Sequence, residues 1–241
     1  MRPRALYSFV LCIAVATCAS APAEGTAPSV EAIVTRMGEA RAKNRAQFRP
    51  YMVTREYELF GKEKNEPKSR VVADVSFVPP DSKWFAIQQT KGGGLGERIV
   101  RQMLEGEVEA VKQYSSTDIS PANYDFHFIR EEKLNGRHCY VLDLLPKRKV
   151  RNLLRGSIWV DADTYMLHRF EGEPAKAPSW WLRDARIAFV YGDVGGMWLQ
   201  TASESTARVR FFGPYTMTSR DVEYRLSEPT ARSSVGQRSV R

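Results

Sequence analysis

The chain has 241 residues, of which 43% are apolar and 27% are charged, so the composition excludes disorder throughout and favours a packed domain. Lysine and arginine total 36 against 28 acidic residues, which gives a net charge of +8. With three cysteines and three histidines, the composition also excludes a disulfide-rich scaffold and an ordinary zinc cluster.

Residues 1–23 have the pattern of an export signal. Arg2 and Arg4 precede an uncharged apolar stretch too short to span a bilayer, and small residues offer a cleavage site after Ala23. The pattern predicts a periplasmic protein. The residues before Cys18 loosely match a lipobox, so a lipoprotein anchored to the membrane through acylated Cys18 is the alternative.

Hydrophobic periodicity predicts a helix that begins at Ser29, a plausible N-cap, and ends before Pro50. From Tyr51 onward the period changes to two, which is typical of strands with one buried face. The predicted strands cover roughly residues 51–59, 71–78, 83–90, 124–133, 137–145, 157–160, 165–171, 182–192, 197–211 and 215–227.

The structure of three connecting segments can also be predicted from the sequence. The glycine-rich segment 92–96 is predicted as a flexible hinge, followed by a second helix over residues 97–112 and a loop over 115–123. Asn135-Gly136 is a strong hairpin signal. The basic segment 147–155 is predicted as a solvated stretch with one or two helical turns.

The strands follow one another through short hairpins, which predicts an antiparallel sheet, and a twisted sheet of about ten strands tends to curl. The predicted fold class is therefore α+β, an incomplete antiparallel barrel with helices that cover its concave face. One domain is expected over residues 24–228. The segment 229–241 is rich in Ser and Arg and is expected to be a disordered basic tail.

Catalytic motifs give little support for an enzyme. Residues 161–164 match the Asp-x-Asp-x-Thr pattern of aspartate-nucleophile phosphatases, but they fall between two strands of a hairpin, where Asp and Thr are ordinary turn residues. His127, His138 and His168 are isolated from one another. We therefore expect a non-catalytic protein with no cofactor and no metal, and keep hydrolysis at Asp161 as a minor alternative.

A curved sheet that two helices fill incompletely leaves an apolar hollow. Arg55 falls on the apolar face of its strand, where it either pairs with a neighbouring strand or holds a helical lid or a lipid headgroup. The residues predicted to contact a hydrophobic ligand are Tyr51, Val53, Arg55, Tyr57, Trp84, Met103, Phe126, Trp159 and Phe189.

A second predicted contact is the run Lys147, Arg148, Lys149 and Arg151. These cations are either a solvated loop or a contact with anionic lipid headgroups, where each contributes roughly 1 kcal/mol. Nucleic acid is not an expected partner for an exported protein.

The chain resembles the LolA/LolB-like superfamily, in particular outer-membrane lipoprotein-sorting-type periplasmic proteins. The resemblance lies in the early helix and in residues 83–85, 134–142, 156–161 and 164–169. It implies an unclosed barrel with a helical lid that holds acyl chains. In the family's lipoprotein carrier an arginine before a proline governs lid closure, whereas this chain has Pro79 at the corresponding position.

These observations predict a carrier or sensor that binds a lipid, a lipoprotein acyl chain or another hydrophobic ligand in the hollow. The alternative is a protein-interaction or stress-sensing regulatory module of the cell envelope with the same fold.

Overall fold

The computed structural model describes residues 28–150, 152–177, 182–210 and 213–227. The helices are α1 Val30–Ala46, α2 Gly94–Lys112 and α3 Tyr114–Thr117. The strands are β1 Tyr51–Phe60, β2 Ser69–Val78, β3 Ser82–Gly92, β4 Tyr124–Leu134, β5 Arg137–Pro146, β6 Leu154–Asp161, β7 Leu167–Pro174, β8 Leu182–Val194, β9 Met197–Val209 and β10 Gly213–Leu226. The predicted export signal, Cys18, the predicted tail and Arg151 lie outside the described residues.

The ten strands form one antiparallel sheet in the order β3-β2-β1-β10-β9-β8-β7-β6-β5-β4. Neighbours in the sheet are also neighbours in sequence, except that β1 pairs with β10 and so joins the first strand to the last. Strands β3 and β4 are the edges and do not pair with each other, so the sheet is unclosed. Helices α2 and α3 lie in the connection between these two edge strands. The predicted antiparallel sheet of about ten strands is confirmed.

The two longer helices lie on the same face of the sheet, as one row of directly opposed residues shows. The row runs across eight strands through Leu142, Ile158, Phe170, Phe189, Ser203, Ser219, Tyr57 and Val71. Side chains opposite one another in a ladder share a face. Residues of α1 pack against one end of this row and residues of α2 against the other. We call this surface the helix-side face and the reverse the outer face.

Two separate apolar clusters form on the helix-side face. The α1 cluster contains Ile33 and Met37, four residues apart on the helix, together with residues of β4–β7 such as Leu142 and Phe170. The α2 cluster contains the inward residues of β1 and β2 together with Val100 and Leu104. Each helix therefore buries one apolar stripe, as its periodicity predicts. None of the described helices combines the length and apolarity needed to cross a membrane.

Three helix predictions need correction. The described residues of 147–155 contain no helix, because the chain turns there into β6. Helix α2 begins at Gly94, within the predicted hinge, and Gly96 approaches Ser69 so closely that a Cβ atom would lie 2.2 Å from the hydroxyl oxygen. Helix α3 occupies four residues of a predicted loop.

A buried asparagine fixes the end of α1 against the sheet. The side chain of Asn44 donates to the carbonyl of Trp198 (2.9 Å) and accepts from its amide (2.7 Å). This two-way contact gives α1 a defined position over the start of β9.

We predict that Asn44→Ala destabilises the protein by about 2 kcal/mol, because both hydrogen bonds to the Trp198 backbone are lost. The exposed neighbour Lys43 serves as the control, and Lys43→Ala should change stability by less than about 0.5 kcal/mol. Urea unfolding followed by circular dichroism measures both. Equal effects of the two variants would contradict the docking role of Asn44.

Candidate ligand-binding face

A guanidinium group is buried on the helix-side face. Four alternate residues of β1 are buried on this face, and three of them are Val53, Tyr57 and Leu59. The fourth is Arg55, which is 7% exposed. A buried charge requires partners, because its transfer from water costs several kcal/mol unless it is paired.

The partners of Arg55 come from three different elements. Its Nε donates to Oδ1 of Asp221 in β10 at 2.5 Å, and its Nη1 donates to Glu107 in α2 at 3.0 and 3.3 Å. Lys83 in β3 donates to the same Glu107 carboxylate at 2.7 Å. Two cations therefore balance two anions. We call Arg55, Lys83, Glu107 and Asp221 the Arg55 network.

Tyrosines complete this network. The hydroxyl of Tyr57 accepts from Arg55 Nη1 at 3.4 Å, and the hydroxyl of Tyr224 donates to Asp221. Burial raises the pKa of Tyr51 and of Tyr57 to about 12. These tyrosines therefore stay neutral at physiological pH.

The network keeps its charges in the folded protein. Burial alone would raise the pKa of Glu107, but Lys83 and Arg55 outweigh it and hold that pKa below the usual 4.5. Burial likewise opposes the charge on Arg55, yet Glu107 and Asp221 raise the pKa of the guanidinium. The ion pairs thus outweigh the desolvation, and they tie α2 to β1, β3 and β10.

The sequence left open whether Arg55 pairs with a strand or holds a lid. Both contacts are present, since Asp221 lies on the neighbouring strand β10 and Glu107 lies on α2. The Arg55 side chain therefore pairs with a neighbouring strand and also attaches helix α2 to the sheet.

A polar strip separates the two apolar clusters. The hydroxyls of Ser203 in β9 and Ser219 in β10 are buried and lie 2.7 Å apart, within hydrogen-bond distance. Ser205, two residues further along β9 and on the same face, is half-buried. We call Ser203, Ser205 and Ser219 the serine strip. Phe189 on β8 lies directly opposite Ser203, and Tyr57 lies directly opposite Ser219.

The central strands receive little cover from the helices. Helix α2 lies mainly against β1, β2 and β3, whereas α1 contacts β4 and the Trp198 end of β9. Ile187 and Phe189 of β8 stay half-buried on the helix-side face. Small side chains and sparse helix contact therefore coincide in the middle of this face.

Seven of the nine predicted ligand contacts lie on the helix-side face. Five of them surround α2, namely Tyr51, Val53, Arg55, Tyr57 and Met103. Phe126 and Phe189 pack at the edge of the α1 cluster. The structure thus divides these residues between the two clusters.

The other two predicted contacts point away from the helices. Trp84 lies opposite Ser76 on the outer face of edge strand β3 and is 52% exposed. Trp159 packs with Cys139 and Val141 on the outer face and donates its ring N–H to Glu132. Strand alternation separates both tryptophans from the other seven residues.

The sequence analysis did not identify three partners in this site. Lys83 and Asp221 lie on strands whose pairing with β1 is not visible in the sequence. A clue did exist for Glu107, because it occupies the apolar stripe of α2 four residues after Met103. A carboxylate at such a position indicates a buried cation nearby.

Asp161 is a turn residue at the end of β6, as predicted. Its Oδ1 accepts from the amides of Asp163 (3.1 Å) and Thr164 (2.7 Å) and from the Thr164 hydroxyl (2.8 Å). Although burial opposes it, these hydrogen bonds lower the pKa of Asp161. The other oxygen faces Arg137 and His168 at 3.5 and 3.4 Å. The side chain therefore stabilises the turn.

Two cations of the predicted lipid-binding run form hydrogen bonds within the protein. Lys147 donates to the carbonyl of Pro121 at 2.6 Å. Arg148 donates to the carbonyl of Ser116 at 2.9 Å and to the side chain of Asn123 at 2.5 Å. These contacts attach the segment after α2 to the sheet. Lys149 is exposed.

The overall architecture resembles known structures at low sequence identity. An outer membrane lipoprotein-sorting protein domain from Vibrio parahaemolyticus is 14% identical, with a TM-score of 0.48 over 84% of this chain and 95% of that chain. A DUF1329 family protein from Desulfovibrio piger is 13% identical, with a TM-score of 0.45 over 84% and 95%. A LolA superfamily protein from Nitrosomonas europaea is 12% identical, with a TM-score of 0.42 over 84% and 96%.

No family model matches the chain, and no curated protein sequence is significantly similar to it. The function proposed below rests on contacts within this chain.

We predict that Arg55→Met destabilises the protein by about 3–5 kcal/mol, because it leaves Asp221 buried without a cation. Arg70→Met is the matched control, since Arg70 pairs with Glu58 on the neighbouring strand and its side chain is 45% exposed. The control should cost less than about 1 kcal/mol. Urea unfolding measures the loss of stability in both variants. A similar loss in both would contradict the role given to Arg55.

The lowered pKa of Glu107 makes part of the stability depend on pH. A carboxyl whose folded-state pKa is depressed stabilises the protein above its unfolded pKa, near 4.5, and this contribution disappears as the pH falls through the folded value. We expect Glu107→Gln to lose less stability than the wild type between pH 5 and pH 3.

Urea unfolding at a series of pH values measures this difference. Exposed Glu105 on the same helix provides the control variant Glu105→Gln, which should keep the wild-type pH dependence. If the free energy of unfolding depended on pH in the same way in the wild type and in Glu107→Gln, the Arg55 network would not be the source of that pH dependence.

Proposed function

We propose that this protein is a non-catalytic carrier or sensor of the cell envelope that binds a lipid or another acyl-chain ligand on the helix-side face. The ligand lies over the serine strip, between the α1 cluster and the α2 cluster. In this proposal the helix-side face is the concave face of a half-barrel, and the chain is exported to the periplasm as its first 23 residues predict.

The observation that supports the proposal most strongly is the break between the two clusters. A sheet whose only role on this face was to form a core would carry large apolar residues across its central strands. In the middle of this face β9 and β10 carry Ser203, Ser205 and Ser219. Buried Met217 and half-buried Ile187 and Phe189 lie beside them. An acyl chain that covered these residues would complete the apolar contacts.

Helix α2 is the proposed cover. Its contacts with the sheet combine apolar packing by Val100 and Leu104 with the ion pairs of Glu107. Gly92 and Gly93 precede the helix, and Gly92 has a φ of +91°, a conformation that favours glycine. Displacement of α2 about this connection exposes the apolar side chains of the α2 cluster to a ligand.

Methylene burial provides the driving force. Each buried CH₂ contributes about 0.8 kcal/mol, so a chain of roughly a dozen carbons retains several kcal/mol after ordering costs. The polar end of such a ligand then lies near the serine strip or the Arg55 network, which are the polar groups of this face.

The direct test is native mass spectrometry of protein purified from its own envelope. Bound species with the mass of lipids or acylated peptides are expected, and they should be lost after delipidation and recovered when lipid is added back. Protein that carries no bound lipid as purified and does not bind added lipid would overturn the proposal.

A substitution that fills the proposed groove should block binding. Ser205 is half-buried on the helix-side face between Ile187 and Met217, so Ser205→Phe should lower the affinity for a fluorescent fatty acid at least tenfold. The control is Thr218→Phe, because Thr218 is half-buried on the outer face of the adjacent strand.

Fluorescence titration of both variants, each checked for an unchanged melting curve, gives the comparison. Wild-type affinity for the control and loss of affinity for Ser205→Phe are the expected results. Equal affinities of the two variants would show that the fatty acid binds elsewhere.

A further inference from the structure

The strand connections at one end of the sheet carry most of the positive charge of its turns. Because neighbouring strands are antiparallel, the connections that follow β1, β5, β7 and β9 lie at one end, and those that follow β2, β4, β6 and β8 lie at the other. We call the first set the basic rim, which comprises residues 61–68, 147–153, 175–181 and 210–212.

The two ends of the sheet differ sharply in charge. The described residues of the basic rim include two glutamates and eight cations, which are Lys62, Lys64, Lys68, Lys147, Arg148, Lys149, Lys176 and Arg210. The four connections at the opposite end contain two aspartates and neither lysine nor arginine. The positive charge of the strand connections is therefore confined to one end of the sheet.

The basic rim is broad. Its four connections join β1 to β2, β9 to β10, β7 to β8 and β5 to β6, so they span eight adjacent strands. At about 4.8 Å per strand the rim extends roughly 35 Å along the sheet. Each connection contributes at least one cation, such as Lys62, Lys149, Lys176 and Arg210. Positive charge over this length fits an extended anionic surface better than a single small anion.

Two lysines of the basic rim face carboxylates on the sheet. Lys64 lies 3.6 Å from Glu204, and Lys147 lies 3.5 Å from Asp125. All four side chains are largely exposed, and solvent screens ion pairs of this kind. These two contacts therefore neutralise only a small part of the charge of the rim.

Other cations of the basic rim keep their charge without an anionic partner. Within the part of the chain that the structure describes, Lys62, Lys149 and Lys176 are exposed and form no ion pair. Arg148 donates to a carbonyl oxygen and to an amide oxygen, which are both neutral. The two glutamates share the β1–β2 connection with three lysines, so the excess positive charge lies mainly on the other three connections.

Two exposed apolar side chains accompany these cations. Val150 follows Lys149 in the β5–β6 connection and is 40% exposed. Leu95 lies in the first turn of α2, beside the end of β3 at this rim, and is 43% exposed. Cations next to exposed apolar residues are typical of surfaces that contact a bilayer, because the charges meet headgroup phosphates while the apolar side chains enter the acyl boundary.

We infer that the basic rim is a docking surface for a bilayer that contains anionic lipids. The cations approach the phosphates within a Debye length, and Val150 and Leu95 add contacts that salt does not screen. Docking itself does not require the acyl ligand proposed above, whereas its use in lipid exchange rests on that proposal. Because α2 begins at this rim, docking brings the glycine connection of the proposed cover next to the membrane.

Co-sedimentation with lipid vesicles tests the inference. One set of vesicles consists of phosphatidylcholine alone, and the other contains equal parts of phosphatidylcholine and phosphatidylglycerol. The full-length protein should bind the anionic vesicles about tenfold more tightly or better, since several cations of the rim contact them together. This affinity should fall as salt is raised, because salt screens exposed charges.

Charge variants then locate the contact. Lys149→Gln with Lys176→Gln removes two exposed cations of the basic rim and should weaken binding to anionic vesicles about tenfold. The matched control is Lys43→Gln with Lys133→Gln, which removes the same charge from exposed positions on α1 and β4. The control should bind as the wild type does. Melting curves confirm that both double variants are folded.

A further variant separates a bilayer from other anionic partners. Val150→Gln keeps every charge, so it should weaken binding to anionic vesicles severalfold and leave the salt dependence unchanged. Poly-glutamate, which has carboxylates but no apolar interior, is the comparison probe. It should bind more weakly than the anionic vesicles, and Val150→Gln should not change its binding.

Three results would overturn the inference. The first is equal binding to both kinds of vesicle, and the second is equal loss in both double variants. The third is poly-glutamate binding as tight as vesicle binding, which would assign the rim to an acidic protein. If vesicle binding fails while native mass spectrometry finds bound lipid, the proposed ligand site stands without the docking surface, and the reverse result would remove the ligand site alone.

Discussion

The charge of Arg55 constrains much of this structure. A guanidinium that lies beneath a helix on an apolar face is stable only with anions in contact, and Asp221 and Glu107 supply them from β10 and α2. Because β1 pairs with β10, this contact strengthens the pairing of the first strand with the last. Because Glu107 also binds Lys83 of edge strand β3, the same group of charges sets where α2 lies across the sheet.

The rest of the helix-side face is organised around that fixed point. On one side of the serine strip, α2 and the first three strands bury their apolar residues together, and on the other side α1 does the same with β4–β7. Asn44 positions α1 as Arg55 positions α2, but through hydrogen bonds to the backbone. The two halves are therefore held by different interactions, and ion pairs respond to pH in a way that amide hydrogen bonds do not. The proposal that α2 is the cover of the ligand site rests on this difference.

The outer face follows another logic. Many charged side chains of the sheet lie on this side and form ion pairs with neighbours, such as Glu58 with Arg70 and Glu56 with Arg220. Over β5–β9 the small residues Ser157 and Ala188 interrupt this pattern.

Local patterning in the sequence determined the elements themselves. Alternation from Tyr51, the Asn135-Gly136 turn and the Asp161 turn are properties of a few adjacent residues, so strands and hairpins could be predicted in number and order. Short connections also implied the antiparallel sheet. Strand alternation places Trp84 and Trp159 on the outer face, away from the other seven expected contact residues.

Tertiary structure alone decided which strands meet at long range. The pairing of β1 with β10 brings Asp221 to Arg55 across 166 residues, and no local pattern encodes that register. The same pairing places Tyr57 of β1 opposite Ser219 of β10, so the serine strip lies beside the α2 cluster. A single sequence specifies which side each residue faces, since that depends on neighbours along the chain. Which residues stand opposite one another depends on the whole sheet and becomes fixed only when it forms.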